Sequence, residues 1–396
     1  MKRLIQRPFR WEYTWLCLLV LLTLAMHFAI VNSPGELILD ELHYVTDARS
    51  IIHGDGSARA EHPSLGKLFI VSGIKVFGDN PLGWRFFPII FGVASIVFFY
   101  FICRRLAMSR EAAYFATFLL TLENMTFVQA SVAMLDVFTL TFMLACFWLY
   151  LRGSYLLAGV VAGLCAQTKL TGILIVLAIL IHWLIVRRDR RWFFAGAVLL
   201  VPITFLELMP LFDYFIYGYP TNPIERIKTM LSLSSGLTFV SAAHPYMSRP
   251  WIWVLRPDIM PYWYQPNYLS AISFSVMVLI IPTVIYLIFK AVRGNAAGLF
   301  AISWFAGTYL VWIPLSIITN RISFVYYFYP TVGVICIGLG LGLSQLTGLW
   351  RTRKTGKLRW LAISVVTGYL VIHVAIFAIL SPLSGFPWFW VPFLHT

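Results

Sequence analysis

Six charged residues stand where apolar stretches of this chain begin or end: Asp40, Glu41, Arg85, Asp136, Lys169 and Arg321. Ionised side chains facing lipid are costly, so a set of them at one depth reads as a site between helices. The chemistry they offer is phosphate binding and proton transfer. Carboxylates take the proton of a weak nucleophile, while Arg and Lys hold a phosphate through charge-assisted hydrogen bonds. Two polar segments join them. His62-Pro63-Ser64-Leu65-Gly66-Lys67 lies shortly after the carboxylate pair, and the stretch 242–266, rich in Pro, Trp and Tyr, carries His244, Tyr246, Trp251 and Trp253. Each residue also has a plainer use. Arg85 and Arg321 suit snorkelling anchors, Lys169 a short helical hairpin, and Asp136 a helix cap. His62 and His244 suit turns before proline, and the tryptophans suit interfacial anchors. Anchors would be spread over both membrane faces, whereas these acids gather on one.

The elements that must position them are membrane helices. The chain has 396 residues, 60% hydrophobic and 12% charged, with a mean hydropathy of +0.81. That composition excludes a soluble globular domain and specifies an all-α polytopic membrane protein. Basic residues outnumber acidic ones by 30 to 16, which here reads as topology and not as nucleic-acid binding. Cys17, Cys103, Cys146, Cys165 and Cys336 are scattered singly through apolar stretches, so neither a disulfide framework nor a zinc cage is expected. The basic N-terminus followed by an apolar run reads as a retained signal anchor.

About eleven spans are expected at roughly twenty apolar residues each, some short or broken. They are 14–32, 83–103, 111–127, 133–151, 155–168, 171–186, 192–210, 269–289, 298–318, 324–345 and 360–380. The fifth and sixth are split at Gln167-Thr168-Lys169, which keeps Arg152 and the cluster 187–191 on one side. With the N-terminus cytoplasmic, the inner segments then hold 19 of the 30 basic residues and only Glu12, Glu111 and Asp189 among the acids. This asymmetry fits the positive-inside rule and puts the C-terminus outside. Two outer segments are long, about 33–82 and 211–268, as functional loops often are. The first is expected to carry an amphipathic helix ended by Gly54 and Gly56, with Asp40, His43 and Asp47 on one face. The second is expected to carry an interfacial helix over 224–239. No internal repeat or soluble domain is evident, so residues 1–396 are read as one transmembrane domain.

The motifs resemble those of the protein O-mannosyltransferase family, membrane-embedded transferases of the GT-C fold in glycosyltransferase family 39. Asp40-Glu41 is similar to the family's acidic pair in the first outer loop. His62–Lys67 is similar to its HPP-L-GK segment, with Ser64 in place of the second proline. Gly83-Trp84-Arg85-Phe86, Met134-Leu135-Asp136 and Lys169 between Gly163 and Gly172 resemble further family segments. So do His244-Pro245-Tyr246 through Trp251-Ile252-Trp253, with Arg256-Pro257 and Tyr262-Trp263 after them, and Arg321 through Pro330. The chain departs from the pattern at Ser131, where family members commonly carry arginine. It also has no room for the soluble β-trefoil domain of eukaryotic members, so the resemblance implies the bacterial or archaeal type.

What the resemblance implies is transfer of a sugar, mannose first, from an extracytoplasmic polyprenyl-phosphate donor to Ser/Thr hydroxyls of secreted or translocating proteins, with inversion. The site is expected in Asp40 as base, with Glu41 and Asp136 orienting the acceptor or a divalent metal. Arg85, Lys169 and Arg321 are expected on the donor phosphate. His62, Lys67, His244, Tyr246, Trp251 and Trp253 are expected on the acceptor side. Expected surroundings are the plasma membrane, a lipid-linked donor, an acceptor protein and the secretion machinery. A second enzyme reading keeps the donor and modifies a lipid or envelope glycan, as aminoarabinose transferases do. A reading from another class is a transporter or flippase, which matching broken helices and midplane charges would favour; neither is seen.

Overall fold

The computed structural model describes residues 9–186, 190–242, 244–352 and 356–384. Lys2, Arg3, Arg7, Arg187, Arg188, Asp189, Arg353 and Lys354 of the topology argument lie outside the described residues.

Helix α1 (Phe9–Ile30) leads into the outer segment that holds α2 (Glu41–His53) and α3 (Leu65–Phe77). As expected, α2 stops at Gly54, whose φ of 91° is open to glycine and whose N–H caps the helix on Ile51. Asn80 opens α4 (Pro81–Arg105) by accepting from the Gly83 N–H, with Pro81 in the first turn. Ser109 similarly caps α5 (Arg110–Thr121). Then come α6 (Asn124–Ala130), α7 (Leu135–Leu151), α8 (Tyr155–Thr168), a 3-10 turn (Leu170–Ile173) and α9 (Leu174–Val186). The long α10 (Arg191–Tyr217) returns the chain to the second outer segment, where Asn222 caps α11 (Pro223–Ser235). A short α12 (Ile252–Leu255) and a two-stranded antiparallel ribbon, β1 (Met260–Trp263) with β2 (Tyr268–Ser270), complete that segment. The remaining helices are α13 (Phe274–Met277), α14 (Ile280–Val292), α15 (Ala296–Phe305), α16 (Trp312–Thr319), α17 (Val332–Thr352) and α18 (Lys357–Leu380). A π-helical turn, Ala306–Leu310, joins α15 to α16, and the 3-10 segment Val325–Thr331 leads into α17.

Among the described residues six helices are long and apolar enough to cross a membrane, or seven if the bent pair α6–α7 counts as one. Three shorter apolar helices, Tyr155–Thr168, Leu170–Val186 and Ile280–Val292, accompany them. Length and composition therefore do not reach the expected eleven. The expected span 111–127 stops at Thr121, and α6 lies at 111° to α7. The expected span 269–289 opens as strand β2 and helical structure resumes only at Phe274. One buried side-chain pair accounts for both departures. Glu123 accepts from the backbone N–H groups of Thr126 (2.7 Å) and Ser273 (2.8 Å), and Asn124 donates to the Leu269 carbonyl at 2.6 Å. Those bonds give the non-helical backbone of 269–273 its partners inside the protein, as backbone at this depth requires.

The main core is a cluster of buried apolar residues from Leu16 and Ile30 through α4, α5 and α7 to α17 and Phe377, with smaller clusters around Phe205 and Met230 and around Leu269 and Leu380. It leaves the polar residues of the outer segments facing a hollow at its edge.

Candidate active site

The hollow is a cavity of about 670 Å³. One side is polar: Asp40, His43 and Tyr44 from the start of α2, Arg59, Glu61 and His62 from the following loop, Lys169, His244 and Arg321. The other side is apolar, with Leu170, Ile173 and Leu174 facing Leu231, Leu237, Trp312 and Leu315. Ile173 and Leu315 are also among the exposed apolar residues, so this side of the cavity borders surface suited to lipid chains.

Asp40 precedes α2 but caps no backbone N–H. Among the described residues its carboxylate has no hydrogen bond or ion pair, and it opens into the cavity. Burial pushes its carboxyl up from the ordinary value; Lys169 and His43 hold it down, and Asp136 pushes it further up. The Lys169 ammonium reaches both oxygens of Asp136, at 2.8 and 2.9 Å. It also sits 5.5 Å above the Tyr326 ring and 5.7 Å above that of Tyr327. The Lys169 backbone is extended between α8 and the 3-10 turn, which lets the side chain leave the helix axis toward the cavity. Arg321 lines the same cavity, and its buried Nε has no hydrogen-bond partner. That guanidinium forms no ion pair among the described residues, which leaves it open to an anion. Backbone pairing of Thr238 with Arg321 and a bond from the Ile322 N–H to Leu237 hold it in place.

Glu41 and Arg85 occupy a different position from the one expected. Both are completely buried, and Glu41 accepts from Arg85 Nε at 2.9 Å and Nη2 at 2.8 Å. Arg85 spends its other donors on the carbonyls of Val31, Pro34 and Glu36. All five guanidinium N–H groups are engaged, so Arg85 has none left for a donor phosphate. Glu41 further accepts from the Ala133 N–H at 2.8 Å, so the pair ties the first outer loop to the turn before α7. It is a strut beside the site. The carboxylates of Asp40, Glu41 and Asp136 therefore do not converge, and no group of three His, Cys, Asp or Glu placed for a metal occurs among the described residues.

The acceptor-side residues divide similarly. His62 lines the cavity, with its ring 5.8 Å from that of Tyr44. Burial, and then the Lys169 charge, lower its pKa, which keeps the imidazole neutral. His244 also lines the cavity and accepts from the Tyr246 N–H. Tyr246 meets the Tyr264 hydroxyl at 3.0 Å on the exposed rim. Trp251 is partly exposed, whereas Trp253 is fully buried and donates to Ser248 at 2.9 Å. Lys67 is buried on Asp47 (2.8 Å) and Ser57 (2.5 Å), so it shapes the loop from below. Ser131 does not face the cavity; its hydroxyl bonds the ring of His27 in α1 at 2.9 Å. The sequence reasoning did not single out Tyr44, Arg59, Glu61, Tyr326 or Trp312 as site residues. The dense polar run around residues 59–62 was the available signal for two of them.

Comparison with known proteins identifies the frame. A family model described as dolichyl-phosphate-mannose-protein mannosyltransferase matches residues 61–212. A Corynebacterium glutamicum polyprenol-phosphate-mannose–protein mannosyltransferase is 23% identical over 95% of this chain and 91% of its own length. The chain is similar to protein O-mannosyltransferases, over nearly its whole length in the second of these matches. A Mycolicibacterium smegmatis protein, also named polyprenol-phosphate-mannose–protein mannosyltransferase, is 32% identical over 152 residues. That match spans 36% of this chain and 29% of the relative. The Saccharomyces cerevisiae Pmt1–Pmt2 complex bound to its sugar donor aligns with a TM-score of 0.73 at 12% identity, covering 96% of this chain and 91% of that one. The shared architecture is the GT-C glycosyltransferase fold.

Proposed function

We propose that the chain transfers mannose from a polyprenyl-phosphate donor to Ser/Thr hydroxyls of secreted or membrane proteins, with inversion. One observation carries the reading: an unpaired carboxylate, Asp40, shares a cavity with two cations, Lys169 and Arg321. A hydroxyl is a weak nucleophile at neutral pH, so a carboxylate must take its proton as the anomeric carbon is attacked. Asp40 accepts that proton. The hydroxyl oxygen bonds to the anomeric carbon on one face, while the bond to the phosphate oxygen breaks on the other. The polyprenyl phosphate departs with the electron pair, and Lys169 and Arg321 stabilise the charge it gains. Asp136 fixes the Lys169 ammonium. His62 and His244 border the acceptor hydroxyl's approach, and the apolar wall accepts the start of the lipid chain. The strongly basic segments that sequence assigns to one side support a plasma-membrane protein with a cytoplasmic N-terminus and an extracytoplasmic site. The acceptor protein, and with it the secretion machinery as a neighbour, follow from the same reading.

The test is transfer from polyprenyl-phosphate mannose to a Thr-rich peptide by purified protein, with Asp40→Asn alongside. Glycosylated peptide from the native chain, absent from a folded Asp40→Asn, is expected. Donor consumption without peptide product would move the reading to a lipid or glycan acceptor. Undiminished transfer by Asp40→Asn would overturn the role of Asp40.

A further inference from the structure

The loop 58–62 presents Arg59, Glu61 and His62 to the cavity, although nothing in its own secondary structure orients it. Its orientation comes from its carbonyls. Lys67 Nζ donates to the Arg59 carbonyl from α3. Arg226, in the first turns of α11, donates through Nη1 to the Ala60 carbonyl and through Nη2 to that of His62 at 3.0 Å. Two buried cations from two separate segments thus hold three carbonyls of one short loop. With those carbonyls held, the loop keeps the side chains at 59, 61 and 62 on the cavity.

Arg226 is itself held. Its Nε donates to Asp213 at 3.3 Å, and both side chains are almost wholly buried. Asp213, near the end of α10, also accepts from the hydroxyls of Thr221 and Ser64. Ser64 is the residue that stands in place of the second proline of the resembling motif. A proline there would offer Asp213 no donor, so this chain adds a bond from the loop to α10. The same α11 later contributes Leu231 and Ser234 to the cavity wall, and the residues after it pair with Arg321.

We propose that Arg226, braced by Asp213 and Ser64, is the positioning residue for the acceptor edge of the cavity: it sets where His62 and its neighbours stand without touching the reacting atoms. The proposal rests on the transferase reading above. A planar fork that reaches two carbonyls and a carboxylate together is a guanidinium property that an ammonium does not share. Displacing a positioning group by about 1 Å can cost on the order of a hundredfold in rate at the chemistry it supports.

The experiment uses the full chain in nanodiscs with polyprenyl-phosphate mannose and a Thr-rich peptide, comparing native protein with Arg226→Ala and Arg226→Lys. The expected result is a peptide KM raised about tenfold or more in Arg226→Ala and less in Arg226→Lys, with the donor KM within about twofold of native. Millimolar guanidinium should restore the peptide KM of Arg226→Ala with the donor KM unmoved throughout, a selectivity that a general loss of structure would not show. Amide hydrogen exchange across 58–64, measured on the same variants, should accelerate in Arg226→Ala. Unchanged peptide KM with unchanged exchange would overturn the proposal, as would donor and peptide KM rising together. If Arg226→Ala does not fold, the Arg226→Lys split alone decides. If the native chain transfers nothing to peptide, the transferase-to-protein reading fails. In that case native-like exchange in the variants overturns the positioning role, and faster exchange at 58–64 retains it.

Discussion

Burial pushes the Asp40 carboxyl up, and the nearby cations only partly offset it. A general base acts unprotonated, so the rate must fall as pH drops through the folded-state pKa. Because that pKa is raised, the acid limb of kcat/KM is expected above the ordinary carboxylate range. Asp40→Glu should keep such a limb at a lower rate, and Asp40→Asn should have no transfer to titrate. An acid limb at the ordinary carboxylate value would contradict the environment described for Asp40. Its neighbour Glu41 should behave differently. Removing one partner of a buried ion pair costs about 3–5 kcal/mol, because the other charge is left uncompensated. Glu41→Gln is thus expected to lower the melting temperature strongly, while Asp40→Asn leaves it near native; thermal unfolding in detergent distinguishes them. Arg321→Ala should fold normally and raise the donor KM about tenfold or more, since the lost contact is a charge-assisted bond to phosphate. A native donor KM would remove Arg321 from the site. The sequence placed six charges at one depth; three of them, Asp40, Lys169 and Arg321, line the cavity, and a fourth, Asp136, pairs with Lys169. It could not show that Glu41 and Arg85, 44 positions apart, neutralise each other. Pairing between distant residues leaves no trace in spacing.

The break between α8 and the 3-10 turn is the element on which the site depends most directly. Sequence reading split the apolar stretch at Gln167-Thr168-Lys169, and α8 does end at Thr168. The chain folds back there so tightly that a Cβ on Gly172 would meet the Cys165 carbonyl oxygen at 2.5 Å and its carbon at 2.7 Å. Those are backbone atoms and cannot swing aside. Gly172→Ala should therefore open the turn, move Lys169 off Asp136 and reduce donor turnover by an order of magnitude or more, by the same sensitivity to small displacements. Gly342→Ala, where a Cβ meets nothing within 4 Å, is the control and should be silent in the same assay. Equal behaviour of the two variants would show that the turn tolerates displacement. Hydropathy found this break because three polar residues interrupt it. It missed the breaks at Leu122 and at 269–273 because Glu123 and Asn124 are single polar residues in apolar surroundings, and their effect comes from bonding another segment's backbone. The helix α2 and its stop at Gly54 were legible because amphipathic period and glycine are local signals.

At the scale of the whole molecule, the proposed transfer depends on which side of the membrane the cavity faces. The segments that sequence assigns to the outside hold Asp40, His62, His244 and Arg321, and those it assigns to the inside concentrate Arg and Lys. The positive-inside rule concerns insertion, so it predicts orientation independently of the site's chemistry. A lipid-phosphate sugar used outside the cell and a cavity facing inward would be incompatible. The native cysteines leave a clean background: Cys103, Cys146, Cys165 and Cys336 are buried, and only Cys17, on α1, is exposed. In a Cys17→Ser chain, Asp55→Cys, in the loop after α2, should react with a membrane-impermeant maleimide added to intact cells. Arg293→Cys, at the end of α14, should react only after the membrane is opened. The reverse pattern would place the cavity on the cytoplasmic side, where an acceptor still crossing the membrane would not yet have arrived. Labelling of both positions from outside would instead mean that an odd number of crossings does not separate them, and the assignment of the short helices α8 and α9 would have to change first. Because the readout is reaction at an exposed thiol, it stands whether or not the same preparation transfers any sugar.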